Sequence, residues 1–501
     1  MSGARSRPFY ITTAIDYVNG LPHLGHAYEK IATDILARNA RQRGADVFFL
    51  TGTDEHGEPV ADAAAAEGIS PQQLADRNAE RFRALIDVLE LSNNFFIRTT
   101  DAGHIERVRA ILQRVYDAGH VYLGTYDGWY CPRCADFKTD ADIGPANTCL
   151  IHAIALERHS EENYFFRLSS FQAQLEDLFA GRPDFVLPRH QCNAAQAFLA
   201  GGLTDVSLTR KKLRWGVPVP WDEGHVFYVW FDALLNYVTA LGYADPRQDL
   251  TARFWPATFH VIGKDILKFH TIYWPALLLA AGLELPRHVW VHGFLFGPDG
   301  EKMSKSAGNV LDPFEVIDEF GADVLRHYLF REVKTGQDGP VSLDGVRTRY
   351  ETELANEYGN LTSRTLNMLE RYSDSQIPAV SLDPELRGEL AGLAARVDEL
   401  LDRAEISAAL EEIWQRVRRL NRYVEEKAPW QMARDADPAL PTVLASLAEG
   451  LRVVTVALHP YMPAKTAEVL GALGRPDASA REFADVGWGG AARSIPPLFP
   501  K

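Results

Sequence analysis

The order of apolar segments near the start of the chain constrains the fold more than any other feature of the sequence. Residues 8–13, PFYITT, form a short apolar run typical of a buried strand, and residues 46–52, DVFFLTG, form another. Between them, apolar residues recur at helical spacing from Leu24 to Ile35, and Gly44 ends the pattern. Strand, helix and strand in this order predict a βαβ unit and therefore a parallel sheet.

The same pattern returns far downstream. Residues 257–263, ATFHVIG, and 288–294, HVWVHGF, predict two more strands with helical sequence between them, so the sheet is split by an insertion. The inserted region, about 119–229, is rich in Cys, Asp, Arg and Pro and has no long helical period. After about residue 345, long amphipathic patterns with few turn signals predict an α-helical bundle.

The composition is that of an ordinary globular chain, with 501 residues, 46% hydrophobic and 24% charged. The start, MSGARSRPFYITT, has no apolar run long enough for a signal peptide, and the stretch WPALLLAAGLELP is interrupted by Pro and Glu. We therefore expect a soluble cytoplasmic protein with no membrane span. The net charge of −15 does not exclude a nucleic acid partner, because a local basic face is sufficient for binding.

Two histidines three residues apart, His23 and His26, lie where the first strand turns into the first helix. Ligands bind at the carboxyl ends of parallel strands, and a helix N-terminus favours phosphate. Gly25 between them would allow a ligand to approach the backbone. A phosphate site, a metal site and a plain helix cap with two surface histidines all remain open at this point.

A second stretch, residues 297–310 (GPDGEKMSKSAGNV), is a glycine-punctuated loop that carries Lys302, Ser304 and Lys305. Two lysines three apart on such a loop suit a polyphosphate, although an exposed solvated loop is the alternative.

The third group of candidates is a metal knuckle. Cys131, Cys134, Cys149 and His152 have the spacing C-x2-C, fourteen residues, then C-x2-H. This spacing predicts a tetrahedral Cys3His zinc site, which would be structural because no ligand position stays open. The alternative is four unmetallated residues in a loop. Cys192 stands apart and is interpreted as a free thiol.

HLGH and KMSKS, in this order and each beside one half of a split sheet, resemble the paired signatures of the class I aminoacyl-tRNA synthetases. The segments YITTAIDYVNGLPHLGHAYE, FFLTGTDEHG, RWGVPVP, YVWFDALLNYVTALGY and HVIGKDILKFHTIYWPALL are similar to those of the methionyl-tRNA synthetase family. The resemblance covers nearly the whole chain. It implies an α/β fold, with a Rossmann-like parallel-sheet catalytic domain, an inserted zinc-knuckle connective region and an all-α anticodon-binding bundle. The implied boundaries are 1–118 and 230–296 for the two catalytic halves, 119–229 for the insertion, 297–345 for the KMSKS loop and stem-contact region, and 346–501 for the bundle.

The resemblance also implies the substrate sites. ATP, with Mg²⁺, would be held by His23, Gly25, His26, Gly263, Asp265, Gly293, Lys302, Ser304 and Lys305, of which His23, His26, Lys302 and Lys305 would be catalytic. Methionine would be held by Ala14, Ile15, Tyr17, Asp54, Trp230, Ala233, Tyr237, Ile266 and His270. The residues alone favour ordinary core packing for Trp230 and Tyr237.

In the helical bundle, the family resemblance assigns anticodon reading to Asn360, Arg364 and Trp430. An arginine that pairs with a base edge and a tryptophan on which a base stacks suit a single-stranded RNA loop. An ordinary helical surface is the alternative when these residues are considered alone.

The function implied is that of a methionine–tRNA ligase, which forms methionyl-adenylate and then transfers methionine to tRNA(Met). Two rivals are a non-catalytic synthetase-like protein that binds tRNA or nucleotide, and a nucleotidylyltransferase. We expect a monomer. One residue departs from the family pattern: Asp16 precedes Tyr17 where Tyr, Pro or Ala is common. A carboxylate there should face solvent or be paired, because burying it alone is unfavourable.

Overall fold

The computed structural model describes residues 7–133, 136–138, 143–151, 153–298, 300–301 and 311–500. Five predicted site residues therefore lie outside the described residues, namely Cys134, His152, Lys302, Ser304 and Lys305. The assignments made for them stay predictions.

The secondary structure alternates short strands with helices in the first two thirds of the chain and is helical thereafter. The strands are β1 (Pro8–Thr13), β2 (Asp16–Tyr17), β3 (Asp46–Asp54), β4 (Phe95–Arg98), β5 (Val121–Cys131), β6 (Asp136–Lys138), β7 (Ile143–Gly144), β8 (Thr148–Cys149), β9 (Glu157–Phe166), β10 (Val186–Leu187), β11 (Val206–Ser207), β12 (Thr209–Arg210), β13 (Val226–Phe227), β14 (Phe259–Gly263), β15 (His288–His292), β16 (Leu295–Phe296) and β17 (Gly339–Pro340).

The α-helices are α1 (Leu24–Gln42), α2 (Glu58–Glu67), α3 (Pro71–Val88), α4 (Ala102–Asp117), α5 (Gln172–Gly181), α6 (Arg189–Ala200), α7 (Val229–Leu234), α8 (Asn236–Thr239), α9 (Thr251–Phe254), α10 (Trp274–Ala281), α11 (Pro313–Phe320), α12 (Ala322–Glu332), α13 (Leu343–Arg349), α14 (Asn360–Ser373), α15 (Pro384–Leu390), α16 (Leu393–Asp402), α17 (Ile406–Lys427), α18 (Pro429–Arg434), α19 (Leu440–Leu458) and α20 (Pro463–Ala472). Two further segments, Phe269–Tyr273 and Tyr350–Gly359, form π-helices.

The central sheet is parallel, as predicted. Its strands lie in the order β10, β15, β14, β1, β3 and β2, and β4 also pairs with β3. Every one of these pairings is parallel. The carboxyl ends of β1, β3, β14 and β15 therefore meet at one edge, where Ala14, Asp54, Gly263 and Gly293 lie.

Helix α1 shows how local sequence builds this edge. His23 is its N-cap, in an extended conformation with φ −140° and ψ 176°. The apolar stripe predicted from the sequence is fully buried against the sheet, with Leu24 and Ile35 at 1% and 0% exposure. Burying a side chain of this size contributes about 1.5–3 kcal/mol, so the stripe fixes the face that α1 turns to the sheet. Just beyond the end of α1, Gly44 adopts a left-handed φ of 76°.

The inserted region has its own antiparallel sheet, in the order β11, β9, β5 and β6. Strands β5 and β9 pair along their length, from Val121 opposite Phe166 to Tyr130 opposite Glu157. Two helices, α5 and α6, also lie in this region, which its composition did not indicate. Strand β10 also belongs to the inserted region, but it pairs with β15 of the central sheet. The insertion therefore contributes one strand to the central sheet.

The region after residue 345 is helical, as predicted. Its helix α19, Leu440–Leu458, corrects the expectation that no apolar segment approaches the length of a membrane span. By length and composition, it is the one helix in the described part of the chain that could cross a membrane, but 83% of its most apolar window is buried inside the protein. That burial is typical of a core helix, and α19 packs against α14, α17 and α20.

Candidate active site

The two signature histidines cap α1 with their own side chains. The Gly25 backbone N–H donates to His23 Nδ1 at 3.1 Å, and the His23 backbone N–H donates to His26 Nδ1 at 3.1 Å. The imidazole rings stack with centroids 3.7 Å apart and planes 22° from parallel. Because each Nδ1 accepts a hydrogen bond, each neutral ring carries its proton on Nε2. Both rings therefore serve as helix caps and as Nε2–H donors.

His26 is held as a neutral imidazole. Burial lowers its pKa well below the usual histidine value, and His23, Lys30 and His292 lower it further. The ring of Phe82, from α3, lies edge-on to it at 5.2 Å. A neutral ring in this position donates one hydrogen bond from a fixed direction, which suits a phosphoryl oxygen.

Charged side chains lie directly beneath the pair. Asp16 Oδ2 is 2.5 Å from Lys30 Nζ, and both side chains are buried. The expectation that Asp16 faces solvent or is paired is met by this ion pair. At the end of β15, His292 Nε2 lies 3.2 Å from Glu29 Oε2 of α1. Burial alone would lower the pKa of His292, but Glu29 raises it above its usual value.

Local structure explains why two positions of the predicted ATP site are glycines. A Cβ on Gly25 would lie 3.0 Å from the His23 ring, so the cap itself requires the small residue. A Cβ on Gly293 would lie 2.3 Å from the backbone of Gln337 and 2.5 Å from that of Asp338. The space beside Gly293, one of the predicted ATP-site residues, is thus occupied by another part of the chain.

Aromatic side chains line the predicted methionine pocket. The Trp230 ring stacks on Phe269 at 3.8 Å with planes 6° apart, and Tyr17 meets Trp230 edge-on at 6.3 Å. Ile15 and Ile266 are partly buried against the same core. A flexible thioether packs well against aromatic rings, so this wall suits a methionine side chain.

The floor of the pocket is a hydrogen-bonded pair. Tyr237 and His270 are joined at 2.7 Å through the tyrosine hydroxyl and Nε2. The Nδ1–H of His270 donates to the Ile266 carbonyl at 3.0 Å, so its Nε2 accepts from the Tyr237 hydroxyl. Burial lowers the pKa of His270 to about 4, which keeps this arrangement neutral. Ala14 and Ala233, also predicted in the pocket, are both buried.

Asp54, at the end of β3, is a buried carboxyl group. Its Oδ1 has no hydrogen-bond partner among the described residues. Burial raises its pKa well above the usual aspartate value, and nearby Asp232 raises it further. Such a group lacks a positive partner, and a substrate ammonium would supply one.

Asp232 belongs to a buried network that the sequence did not indicate. Its two oxygens contact His56 Nδ1 at 2.6 Å and His104 Nε2 at 2.8 Å, and His104 Nδ1 lies 2.7 Å from Thr239 Oγ1. Burial opposes ionisation of Asp232, but His56 and His104 bring its pKa down to about 2. The network ties α7, which carries Trp230, to the segment that follows Asp54.

Of the residues that the sequence missed, only Phe269 had a signal. It follows Ile266 by three positions and therefore shares its helical face. Asp232 contacts residues that are far from it in the sequence, and Lys30 occupies an ordinary helical position, so no local pattern marks either residue.

The predicted knuckle is only partly within the described residues. Cys131 ends β5, Cys149 ends β8, and both are buried in one small cluster with Leu156. Within the described part of the chain, no three His, Cys, Asp or Glu side chains come together as metal ligands. The zinc site therefore stays a prediction.

The predicted anticodon residues come together on one surface of the bundle. Asn360 is exposed at the start of α14, and Arg364 follows one turn later. The Arg364 guanidinium lies 5.6 Å from the centre of the Trp430 ring and 2.7 Å from Glu425. Trp430 is 37% exposed, so one face of a large aromatic ring is available to a ligand.

A split parallel sheet with a histidine-capped first helix at its ligand-binding edge, followed by a helical bundle, is the architecture of a class I aminoacyl-tRNA synthetase. A family model described as tRNA synthetases class I (M) matches residues 9–366. The chain is 44% identical over 507 residues to the methionine–tRNA ligase of Rhizobium meliloti, covering 98% of this chain and 96% of that protein. It is 43% identical over 465 residues to the methionine–tRNA ligase of Caldanaerobacter subterraneus, covering 91% and 72%.

Among solved structures, the Mycobacterium tuberculosis methionyl-tRNA synthetase in complex with methionyl-adenylate superposes with a TM-score of 0.94 at 40% identity. The match covers 99% of this chain and 100% of that one. The apo form of the same enzyme superposes with a TM-score of 0.88 at 36% identity. The chain belongs to the methionyl-tRNA synthetase family, and the resemblance inferred from its sequence motifs is confirmed.

Proposed function

We propose that this chain activates methionine with ATP, giving methionyl-adenylate and pyrophosphate, and then transfers methionine to the 3′ end of tRNA(Met). The observation that carries the proposal is Asp54, a buried carboxyl group beside an aromatic pocket, one oxygen of which has no hydrogen-bond partner among the described residues. A zwitterionic amino acid with an apolar side chain supplies what that site lacks. A non-catalytic binding protein is not favoured, and a nucleotidylyltransferase would leave the helical bundle unexplained.

In the first step, a carboxylate oxygen of methionine attacks the α-phosphorus of ATP and pyrophosphate leaves. Such a reaction requires positioning and charge stabilisation and no covalent enzyme nucleophile. The Nε2–H groups of His23 and His26 are placed to donate to phosphoryl oxygens from the helix side. Lys302 and Lys305 would contribute positive charge from the loop side, with Ser304 beside them.

The substrate pockets lie at the same edge of the central sheet, where the strands have their carboxyl ends. The Asp54 carboxylate pairs with the methionine ammonium, while Trp230 and Phe269 contact the thioether. Tyr237 and His270 close the floor. Gly263 and Asp265 line the ribose, and the segment at Gly293 contacts the adenine. ATP is taken with Mg²⁺, which neutralises charge on the phosphates.

In the second step, a hydroxyl of the terminal adenosine of tRNA(Met) attacks the carbonyl carbon of methionyl-adenylate, an ester forms, and AMP leaves. The bundle holds the anticodon, since an exposed Trp430 beside Arg364 offers a base both a stacking surface and hydrogen-bond donors. Asn360, one turn before Arg364, would contact the same bases. We expect the chain to act as a monomer, which sedimentation can test.

We also propose one structural zinc ion, held by Cys131, Cys134, Cys149 and His152. The burial of Cys131 and Cys149 in one cluster fits two thiolate ligands of a closed site. The bound ion would fix the tip of the insertion. Metal analysis of the purified chain should give about one zinc per molecule, and Cys131→Ser should lose it; zinc-free protein with a normal circular dichroism spectrum would remove this assignment.

The proposed reaction is tested by methionine-dependent exchange of labelled pyrophosphate into ATP. We expect exchange that requires methionine and stops when Mg²⁺ is chelated, and aminoacylation of tRNA(Met). Lys305→Ala should slow exchange far more than it weakens methionine binding. No exchange with any amino acid would favour a binding protein, and exchange with a different acid would favour another transferase.

A further inference from the structure

A buried ion pair lies under the phosphate-binding histidines and has no role in the reaction as described so far. Lys30, in α1, is 0% exposed, and Asp16, in β2, is 5% exposed. Their charged atoms are 2.5 Å apart, and neither Asp16 Oδ2 nor Lys30 Nζ has a separate hydrogen-bond partner among the described residues. The other oxygen, Asp16 Oδ1, is 3.8 Å from His26 Nε2.

The position of Asp16 matters because His26 has only one hydrogen to donate. Its Nδ1 is occupied by the His23 backbone N–H, so Nε2–H is the donor that a phosphoryl oxygen must use. Asp16 lies on that side of the ring. A carboxylate attracts the Nε2–H dipole and so favours the required tautomer, but its full negative charge repels an approaching polyphosphate.

We propose that Asp16 and Lys30 are positioning residues for ATP: the carboxylate orients the Nε2–H of His26, and the Lys30 ammonium cancels the carboxylate charge where the phosphates bind. The inference rests on the proposed function, since it assumes that His26 contacts ATP. Neither Asp16 nor Lys30 touches the substrate.

The charged groups around Asp16 and Lys30 predict how ATP binding should depend on pH. Glu29 and His292 form a second pair on α1 and β15, and His23 is stacked on His26. Burial raises the pKa of Asp16 to about 6, although Lys30 lowers it and Glu29 raises it further. Without Lys30, that pKa rises above its present value. Asp16 would then be neutral at pH 6 and would ionise, without compensation, as the pH increases.

The test is the KM for ATP in pyrophosphate exchange, measured from pH 6 to pH 9 for Lys30→Met and the unchanged chain. We expect the ratio of the two KM values to rise by about tenfold or more across this range, because an uncompensated charge close to the phosphates is poorly screened. The KM for methionine should change by less than about threefold, a difference at the level of ordinary substitutions. The double variant Asp16→Asn/Lys30→Met should remove the pH dependence of the ATP ratio, because no carboxylate is left to ionise, and should keep a constant rise in the KM for ATP from the loss of the orienting carboxylate.

Lys30→Met is the variant most prone to unfold, so Lys30→Gln provides an independent measurement. Its amide can still hydrogen-bond to Asp16 and preserve packing, but it carries no charge. We expect the same pH-dependent rise in the ATP ratio. A flat ratio in a folded Lys30 variant, or equal changes in the KM values for ATP and methionine, overturns the proposal.

Arg452→Met is the matched control. Arg452 forms a buried pair with Glu449 in α19, at 2.6 Å, with both side chains at most 6% exposed. Its loss should lower the melting temperature without changing the KM for ATP at any pH. If the unchanged chain shows no exchange, the proposed function fails; if it exchanges and His26→Ala weakens ATP use while both Lys30 variants leave it unchanged, only the present inference fails.

Discussion

At the scale of single residues, Asp54 combines two properties that are costly in a folded protein, namely burial and an oxygen, Oδ1, that has no hydrogen-bond partner among the described residues. Its neighbour Asp232 is ionised and bound to two histidines, so the local negative charge is already present. Asp54 therefore holds its proton more tightly than an ordinary aspartate. A bound ammonium group lowers the pKa of Asp54, because the ionised carboxylate then gains a positively charged partner.

The KM for methionine should consequently fall as the pH rises towards the raised pKa of Asp54, because the proton must leave before the carboxylate can pair with the ammonium. Asp54→Asn should raise the KM for methionine by roughly 10- to 100-fold, the value of a charged hydrogen bond of about 1.5–3 kcal/mol. The variant should also lose the pH dependence. Steady-state exchange kinetics at several pH values measure both effects.

Asp323 supplies a control for this prediction. It is also a buried carboxyl group, 5% exposed, and burial raises its pKa to about 6. It lies in α12 and its Oδ2 accepts from the Lys465 backbone N–H. Asp323→Asn should leave the KM for methionine and its pH profile unchanged. An equal effect of the two substitutions would mean that Asp54 acts only through stability.

At the scale of elements, α1 has two functions at its first turn, because the side chains that cap the helix also face the ligand edge of the sheet. Asparagine is among the best N-caps, whereas alanine is among the poorest. His23→Asn should therefore preserve the helix and remove only the imidazole donor. His23→Ala should remove both, with a loss of about 1 kcal/mol in the stability of α1.

We expect both His23 variants to lose at least about tenfold in kcat/KM for ATP, the value of one hydrogen bond to a charged group. Only His23→Ala should also show a lower melting temperature. Calorimetry and pyrophosphate exchange on the same preparations separate these effects. Full exchange by His23→Asn would show that the imidazole is a cap and nothing more.

Strands and helices could be predicted where a single local sequence pattern determines them. The strand predicted at 8–13 is β1 with the same bounds, and the helix predicted to start at Leu24 and stop at Gly44 is α1. The apolar period determines both. Strand β10 was missed because two residues, Val186 and Leu187, have no period of their own and become a strand only by pairing with β15.

The family motifs predict which residues belong to the site, but they do not predict the contacts between those residues. Family motifs placed Tyr237 and His270 in one pocket, but the hydrogen bond between them depends on packing between separate elements. The Asp16–Lys30 pair shows the same limit: the sequence indicated that Asp16 needed a partner, and only the fold identifies Lys30. The resemblance places Gly293 in the ATP site, and only the fold shows that the backbone of Gln337 and Asp338 lies against it.

At the scale of the whole molecule, one buried guanidinium joins α1 to the helical bundle. Arg326, in α12, is 0% exposed and donates to Asp34 of α1 at 2.7 Å and to the carbonyls of Pro460 and Tyr461 at 2.7 and 2.9 Å. Burial alone would raise the pKa of Asp34, but Arg326 and Arg38 hold it below the usual value. Arg326 thus links α1 to the segment that follows α19, and α19 packs against α18, which carries Trp430.

A defect in tRNA binding should change the KM for tRNA(Met) and leave pyrophosphate exchange unchanged. Trp430→Ala should raise the KM for tRNA(Met) by roughly 10- to 100-fold, because stacking of one base is worth about 1–3 kcal/mol. Pyrophosphate exchange, which needs no tRNA, should be unchanged, since α1 and its histidines remain in place.

Trp488 is a matched control: it also lies beside an arginine, Arg475, at 5.3 Å, but outside the predicted anticodon surface. Trp488→Ala should leave the KM for tRNA unchanged, and an equal rise for both tryptophans would show that the anticodon is read elsewhere.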